Sequence, residues 1–159
     1  MKVKKITTIT IKEICEAADI NRSTFYTHYT DQYDLLRQIE EEALLSFKSM
    51  LKKYDYQNSR HEAMNMGEEL FTYIAENSNE VQILLSENGD IYFQRKLLGL
   101  VRQDHSGEFY AQRGITEEMK AYFFEFIVNG SIGLVQYWLK NNLSIPVRQM
   151  AEMLIKLLH

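Results

Sequence analysis

A chain of 159 residues, 45% hydrophobic and 25% charged, carries apolar content for one substantial core or for a small head on a larger body. No apolar run is long enough to span a bilayer, and the lysine-rich start lacks the apolar stretch of a signal peptide, so the composition excludes a membrane helix and argues against secretion. The net charge of −4 divides unevenly: residues 1–30 hold five Lys/Arg against three Asp/Glu, leaving every net negative charge on residues 31–159. A nucleic-acid face is therefore admissible only at the N-terminal end.

In chain order, Thr10 is placed to cap a first helix, in which Ile11, Ile14, Cys15 and Ala18 recur at i, i+3, i+4 and i+7 as one apolar face. Asp19-Ile20-Asn21 interrupts that pattern. Asp and Asn tolerate the left-handed turn, Ile20 plugs the space between two helices, and Asn21 caps the next one. A second helix from Arg22 to about His28 spends Phe25 on the core and leaves Arg22, Ser23, Thr24, Tyr26, Thr27 and His28 outside. A short helix with outward donors is what a reader of the major groove requires, so this is a helix-turn-helix. Cys15, the lone cysteine, has no thiol partner and suits a buried position in a reducing cytoplasm.

The body reads as helical throughout. Asp31 caps a long helix running to about Tyr54, with Leu36, Ile39, Ala43, Phe47, Met50 and Leu51 along one side. Glu40-Glu41-Glu42 on that helix point different ways and read as solvated. A helix from about His61 to Glu76 buries Met64, Leu70, Phe71 and Ile74. A short segment at 80–86, a turn at Asn88-Gly89 and a helix from Ile91 towards Tyr110 follow. Thr116 opens a long helix to about Asn141, with Glu117 and Glu118 suited to its positive end. Gly130 and Gly133 inside it each cost about 1 kcal/mol of helix propensity. Close approach of a neighbouring helix is the natural compensation. Ser144 and Pro146 would start the last helix, whose broad apolar face includes Met150 and Leu154. Two such helices per subunit suit a four-helix dimer interface through Gly130, Gly133, Tyr137, Met150 and Leu154; packing inside one subunit is the other way to use them.

The run from Ala18 to Tyr29, followed by Asp31-Gln32-Tyr33-Asp34-Leu35-Leu36, resembles the TetR/AcrR family of bacterial one-component transcriptional regulators. That family's pattern is a small residue, Gly, Val, Ser, then Thr-hydrophobic-Tyr, an aromatic, and Lys-x-x-Leu-Leu. Asp19 stands where the family has Gly, and Gln32 where it has a phosphate-gripping Lys. A full first helix usually precedes the motif, whereas only Met1 to Ile9 precede Thr10, so the first helix is expected to be short or missing.

The resemblance implies an all-α chain with a DNA-binding head at residues 1–34 and an effector-binding and dimerisation body at residues 35–159. It implies double-stranded operator DNA, a small-molecule effector and a second copy of the chain as partners. Thr10 and Lys12 would lie near phosphates and a groove edge. Arg22, Ser23, Thr24 and Thr27 would face bases, with Arg22 best suited to guanine, while Tyr26 and His28 would hold the backbone. An effector pocket among the middle helices would draw on Phe71, Tyr92, Phe123 and Trp138, residues that equally suit a plain core. Nothing suggests an enzyme or a metal or cofactor site: the four histidines show no ligand spacing, and neither a nucleophile elbow nor a phosphate loop is present. The rival reading is a dimeric helical adaptor that binds a ligand or protein but not DNA.

Overall fold

The computed structural model describes residues 6–86, 91–104, 110–111 and 113–158. Among the described residues a 3-10 turn at Ile6–Thr8 leads into eight helices: α1 (Ile11–Ala17), α2 (Arg22–His28), α3 (Gln32–Lys53), α4 (Arg60–Glu76), α5 (Ser78–Leu84), α6 (Ile91–Asp104), α7 (Glu117–Lys140) and α8 (Val147–Leu158). No strand occurs among the described residues, and the chain is all-α as its periodicity implies. No described helix is long and apolar enough to cross a membrane. The expected turn at Asn88-Gly89 lies outside the described residues, as do residues 105–109, through which the sixth helix was expected to continue.

Local chemistry sets most of the starts. The Asp31 carboxylate accepts from the Asp34 N–H at 2.8 Å and opens α3. Ser59 Oγ accepts from the Glu62 N–H at 3.3 Å and opens α4. Thr116 stands at the cap of α7 without a side-chain cap bond, so the favourable charge of Glu117 and Glu118 is what remains there. The last helix departs from the sequence reading. It begins at Val147, after Pro146, whose carbonyl accepts from the Met150 N–H at 3.1 Å, and Ser144 lies too early to cap it. Pro146 turns Ile145 away from the helical region, and the Trp138 indole N–H donates to the Ile145 carbonyl at 2.8 Å in the same turn.

The core gathers Phe71, Ile74, Val81, Leu84, Phe93, Val135, Trp138, Met150 and Ala151. The Phe71 and Trp138 rings meet edge-on at 5.4 Å and 84°, the geometry their quadrupoles favour. Helix α3 turns Leu36, Ile39 and Ala43 onto this cluster. Glu40 is a correction: it is buried, while Glu41 and Glu42 are exposed. Three successive helical residues span about 200° of the surface, so one of them readily faces inward. Ile20 is also corrected, for it is 38% exposed rather than plugged between the helices.

Helix α4 lies along α8, and Gly67 marks a close approach between them. A β-carbon there would stand 3.2 Å from the Ala151 Cβ, a fully buried methyl fixed to a helix backbone. Gly67→Val should therefore push the two helices apart and destabilise the body by about 1–3 kcal/mol, read as a lowered midpoint in urea with little change in slope. Gly130 and Gly133 behave differently: a β-carbon at either would have nothing within 4 Å among the described residues. Among the described glycines the tight contact inside the subunit belongs to Gly67.

Candidate nucleic-acid interface and effector cavity

The head is built from two seven-residue helices held by side-chain caps at both starts and a left-handed turn between them. Thr10 and Glu13 form a reciprocal box: Thr10 Oγ1 accepts from the Glu13 N–H at 3.2 Å, and Glu13 Oε2 accepts from the Thr10 N–H at 2.8 Å. Helix α1 ends with Asp19 at φ 53°, and the Ile20 N–H reaches back to the Cys15 carbonyl at 3.0 Å. This is the helix-ending motif that glycine usually serves, here built on Asp. Asn21 Oδ1 then accepts from the Thr24 N–H at 2.8 Å and starts α2.

Phe25 ties α2 down. It is 1% exposed, edge-on to Tyr26 at 5.6 Å and tilted against Tyr29 at 5.3 Å. With that side chain inward, Arg22, Ser23, Thr24, Tyr26, Thr27 and His28 are all exposed. Several are already engaged locally. Ser23 and Thr24 donate their hydroxyls to Asn21 Oδ1 at 2.5 and 3.0 Å, and Thr27 donates to the Ser23 carbonyl at 2.9 Å. In this arrangement those hydroxyls offer lone pairs outward rather than protons. Thr10 is committed to its own cap, and Lys12 pairs with Glu16 at 3.6 Å across solvent, a contact weak enough to yield to a phosphate. Arg22 therefore presents the strongest outward donor set of α2, and Tyr26 its largest exposed ring.

The junction to the body is a carboxylate knot. Asp34 accepts from the Thr30 N–H at 2.9 Å and from Arg37 at 3.0 Å, while Gln38 reaches the His28 carbonyl at 3.5 Å. The Thr30 backbone bond, reinforced by Arg37, holds the Asp34 carboxyl below its ordinary value of 3.8. A carboxyl depressed on folding adds stability above its ordinary pKa and loses it as pH falls through the lower folded value. Asp34→Asn should therefore lower the melting temperature near neutral pH, and the gap from the parent should close below about pH 4.

The second feature is a cavity of about 250 Å³ within the body. Its wall includes Phe47 and Met50 from α3, Phe71 from α4, Leu84 from α5, Phe93 from α6, Val128 and Ser131 from α7, and Leu154 from α8. At the far end of α3, Lys53 Nζ and Tyr54 Oη both donate to Glu69 Oε2 at 2.5 Å, joining that helix to α4. Lys53, and after it the Tyr54 hydroxyl, keeps the Glu69 carboxyl below its ordinary range.

Of the four aromatic residues expected at a pocket, Phe71 borders this cavity. Trp138 is sealed in the core, Phe123 rests against the Tyr110 ring at 6.2 Å, and Tyr92 is 67% exposed. Leu154, expected at a dimer face, lines the cavity as well. Met150, expected at the same face, is closed inside the subunit at 1% exposure and offers a partner no surface. Both belong to the face of α8 that packs on α4. Tyr137 is exposed, together with Met119, Tyr122 and Phe126 on the same helix. Sequence reasoning missed the α3 contribution to the cavity, although Ala43, Phe47, Met50 and Leu51 at i, i+4, i+7 and i+8 were its signal.

Residues 61–159 match a family described as the C-terminal region of transcriptional regulators, of the TetR type. No curated protein matches the chain, and no solved structure does.

Proposed function

Because the chain belongs to the TetR family of transcriptional regulators, we propose that it is a DNA-binding repressor, acting as a dimer on a near-palindromic operator under control of a small effector. The head at residues 1–34 would enter the major groove with α2. Arg22 would read guanine, Ser23, Thr24 and Thr27 would accept from base edges, and Tyr26, His28 and Lys12 would settle on phosphates, with Thr10 holding the start of α1 beside them. The observation that carries this reading is the one-sided use of α2: Phe25 alone is buried, and the six residues around it face outward.

Control would pass along α3. Its 22 residues extend about 33 Å, from the Asp31 cap beside the head to the cavity wall at Phe47 and Met50. An effector that fits one tilt of α3 better than another would change the spacing of the two heads, and operator affinity with it.

The test is fluorescence anisotropy on the DNA upstream of the chain's own gene, across a salt series, with Arg22→Ala/Tyr26→Ala alongside. Saturable binding that weakens steeply with salt and is lost in the variant is expected. Equally feeble binding by both proteins would overturn the repressor reading.

A further inference from the structure

We infer that the body cavity selects an uncharged, largely apolar small molecule of about ten to twelve non-hydrogen atoms, carrying at most a few hydrogen-bonding groups. This rests on the effector-controlled reading above and states which chemistry the effector has.

The wall decides the charge. Every described residue around the cavity is uncharged, and the surface is almost wholly hydrocarbon, aromatic and thioether. Its polar members are Tyr56, Gln57, Tyr73 and Ser131, which bring hydroxyls and one amide and no Asp, Glu, Lys or Arg. An ammonium or carboxylate placed there would leave water without gaining an opposite charge, a transfer that proteins avoid unless the ion is paired. Lys53 and Glu69, which are outside the cavity wall, pair with each other.

Volume decides the size. A cavity near 150 Å³ holds benzene. At about 250 Å³ this one takes a bicyclic ring or a short branched chain, and falls short of the range typical of drug-sized ligands. Phe47, Phe71 and Phe93 suit a flat ring, and Met50 and Met66 supply adaptable sulfur contacts against it.

The probes are three indoles of similar shape: neutral 3-acetylindole, anionic indole-3-carboxylate and cationic gramine, each titrated calorimetrically into the full chain. The neutral probe should bind once per chain, with both ions at least about tenfold weaker. Ser131→Leu and Val128→Phe, which fill the cavity from α7, should each weaken 3-acetylindole by about tenfold or more. Ser131→Leu is the gentler of the two because Ser131 is only half-buried. Ions that bind as well as the neutral probe, a neutral probe that does not bind, or binding that survives both filled variants would each overturn the inference. Operator anisotropy with and without 3-acetylindole separates the two levels. Cavity binding that leaves DNA affinity unchanged would support the ligand class while removing effector control. A chain that binds DNA but prefers the ions would keep the regulator and overturn the ligand class.

Discussion

Phe25→Ala is expected to abolish DNA binding while leaving the melting of the helical body nearly unchanged. Among the described residues of α1 and α2, only Cys15 and Phe25 are buried, and Phe25 is much the larger. Truncating a fully buried Phe costs about 3–5 kcal/mol. Two seven-residue helices cannot absorb that, since isolated helices shorter than about twelve residues are marginal even with good sequences. The caps at Thr10 and Asn21 would remain in the chain, but each is worth only about 1 kcal/mol. The head should therefore melt. The loss should appear as a drop in far-UV dichroism equal to about fourteen helical residues, with the main thermal transition retained. Anisotropy on operator DNA should fall to the salt-sensitive nonspecific level. Tight binding by Phe25→Ala would mean that α2 is held by something other than its buried ring.

What the sequence made legible follows from how local each determinant is. The caps at Thr10, Asn21 and Asp31 and the left-handed turn at Asp19 depend on residues a few positions apart, and the structure forms all four. The start of α8 misled because Ser144 alone does not set it: Pro146 turns Ile145 away from the helical region and so leaves Ser144 too far ahead to cap. The bond from Trp138 to the Ile145 carbonyl, which also holds that turn, is a contact that spacing does not announce. The partition of aromatic residues had the same difficulty. Phe71, Tyr92, Phe123 and Trp138 share helical spacing with apolar neighbours, yet one borders the cavity, one is exposed, one rests on Tyr110 and one is core. Periodicity says which face turns inward. It does not say what stands opposite, and that is also why Gly67, meeting Ala151 from a helix far along the chain, went unremarked.

The second large effect concerns the outer face of α7, where Phe126→Glu/Tyr137→Glu is expected to split a dimer into folded monomers. Met119, Tyr122, Phe126 and Tyr137 are 53, 80, 74 and 70% exposed. Met119 and Tyr137 lie eighteen residues apart, five full turns, so with Gly130 and Gly133 between them these positions run down one side of the helix. A line of bare aromatic side chains is not left to water without a use, and the two glycines lower the surface at its centre so that another backbone can approach. Among the described residues nothing lies within 4 Å of a β-carbon at either glycine, so the hollow has room for the second copy proposed above. Buried aromatic anchors are worth about 2 kcal/mol or more each, so losing two per subunit and burying a carboxylate in place of each should weaken association by well over about a thousandfold. Sedimentation of the variant should give monomer at concentrations where the parent is dimer. Its melting temperature should fall to that of the folded monomer and lose the parent's dependence on concentration, because association no longer stabilises the folded state. Operator affinity should fall with it, since a single head has only one half-site to hold. A variant that stays dimeric would move the interface elsewhere on the body, and a parent that sediments as monomer would remove the paired-head reading altogether.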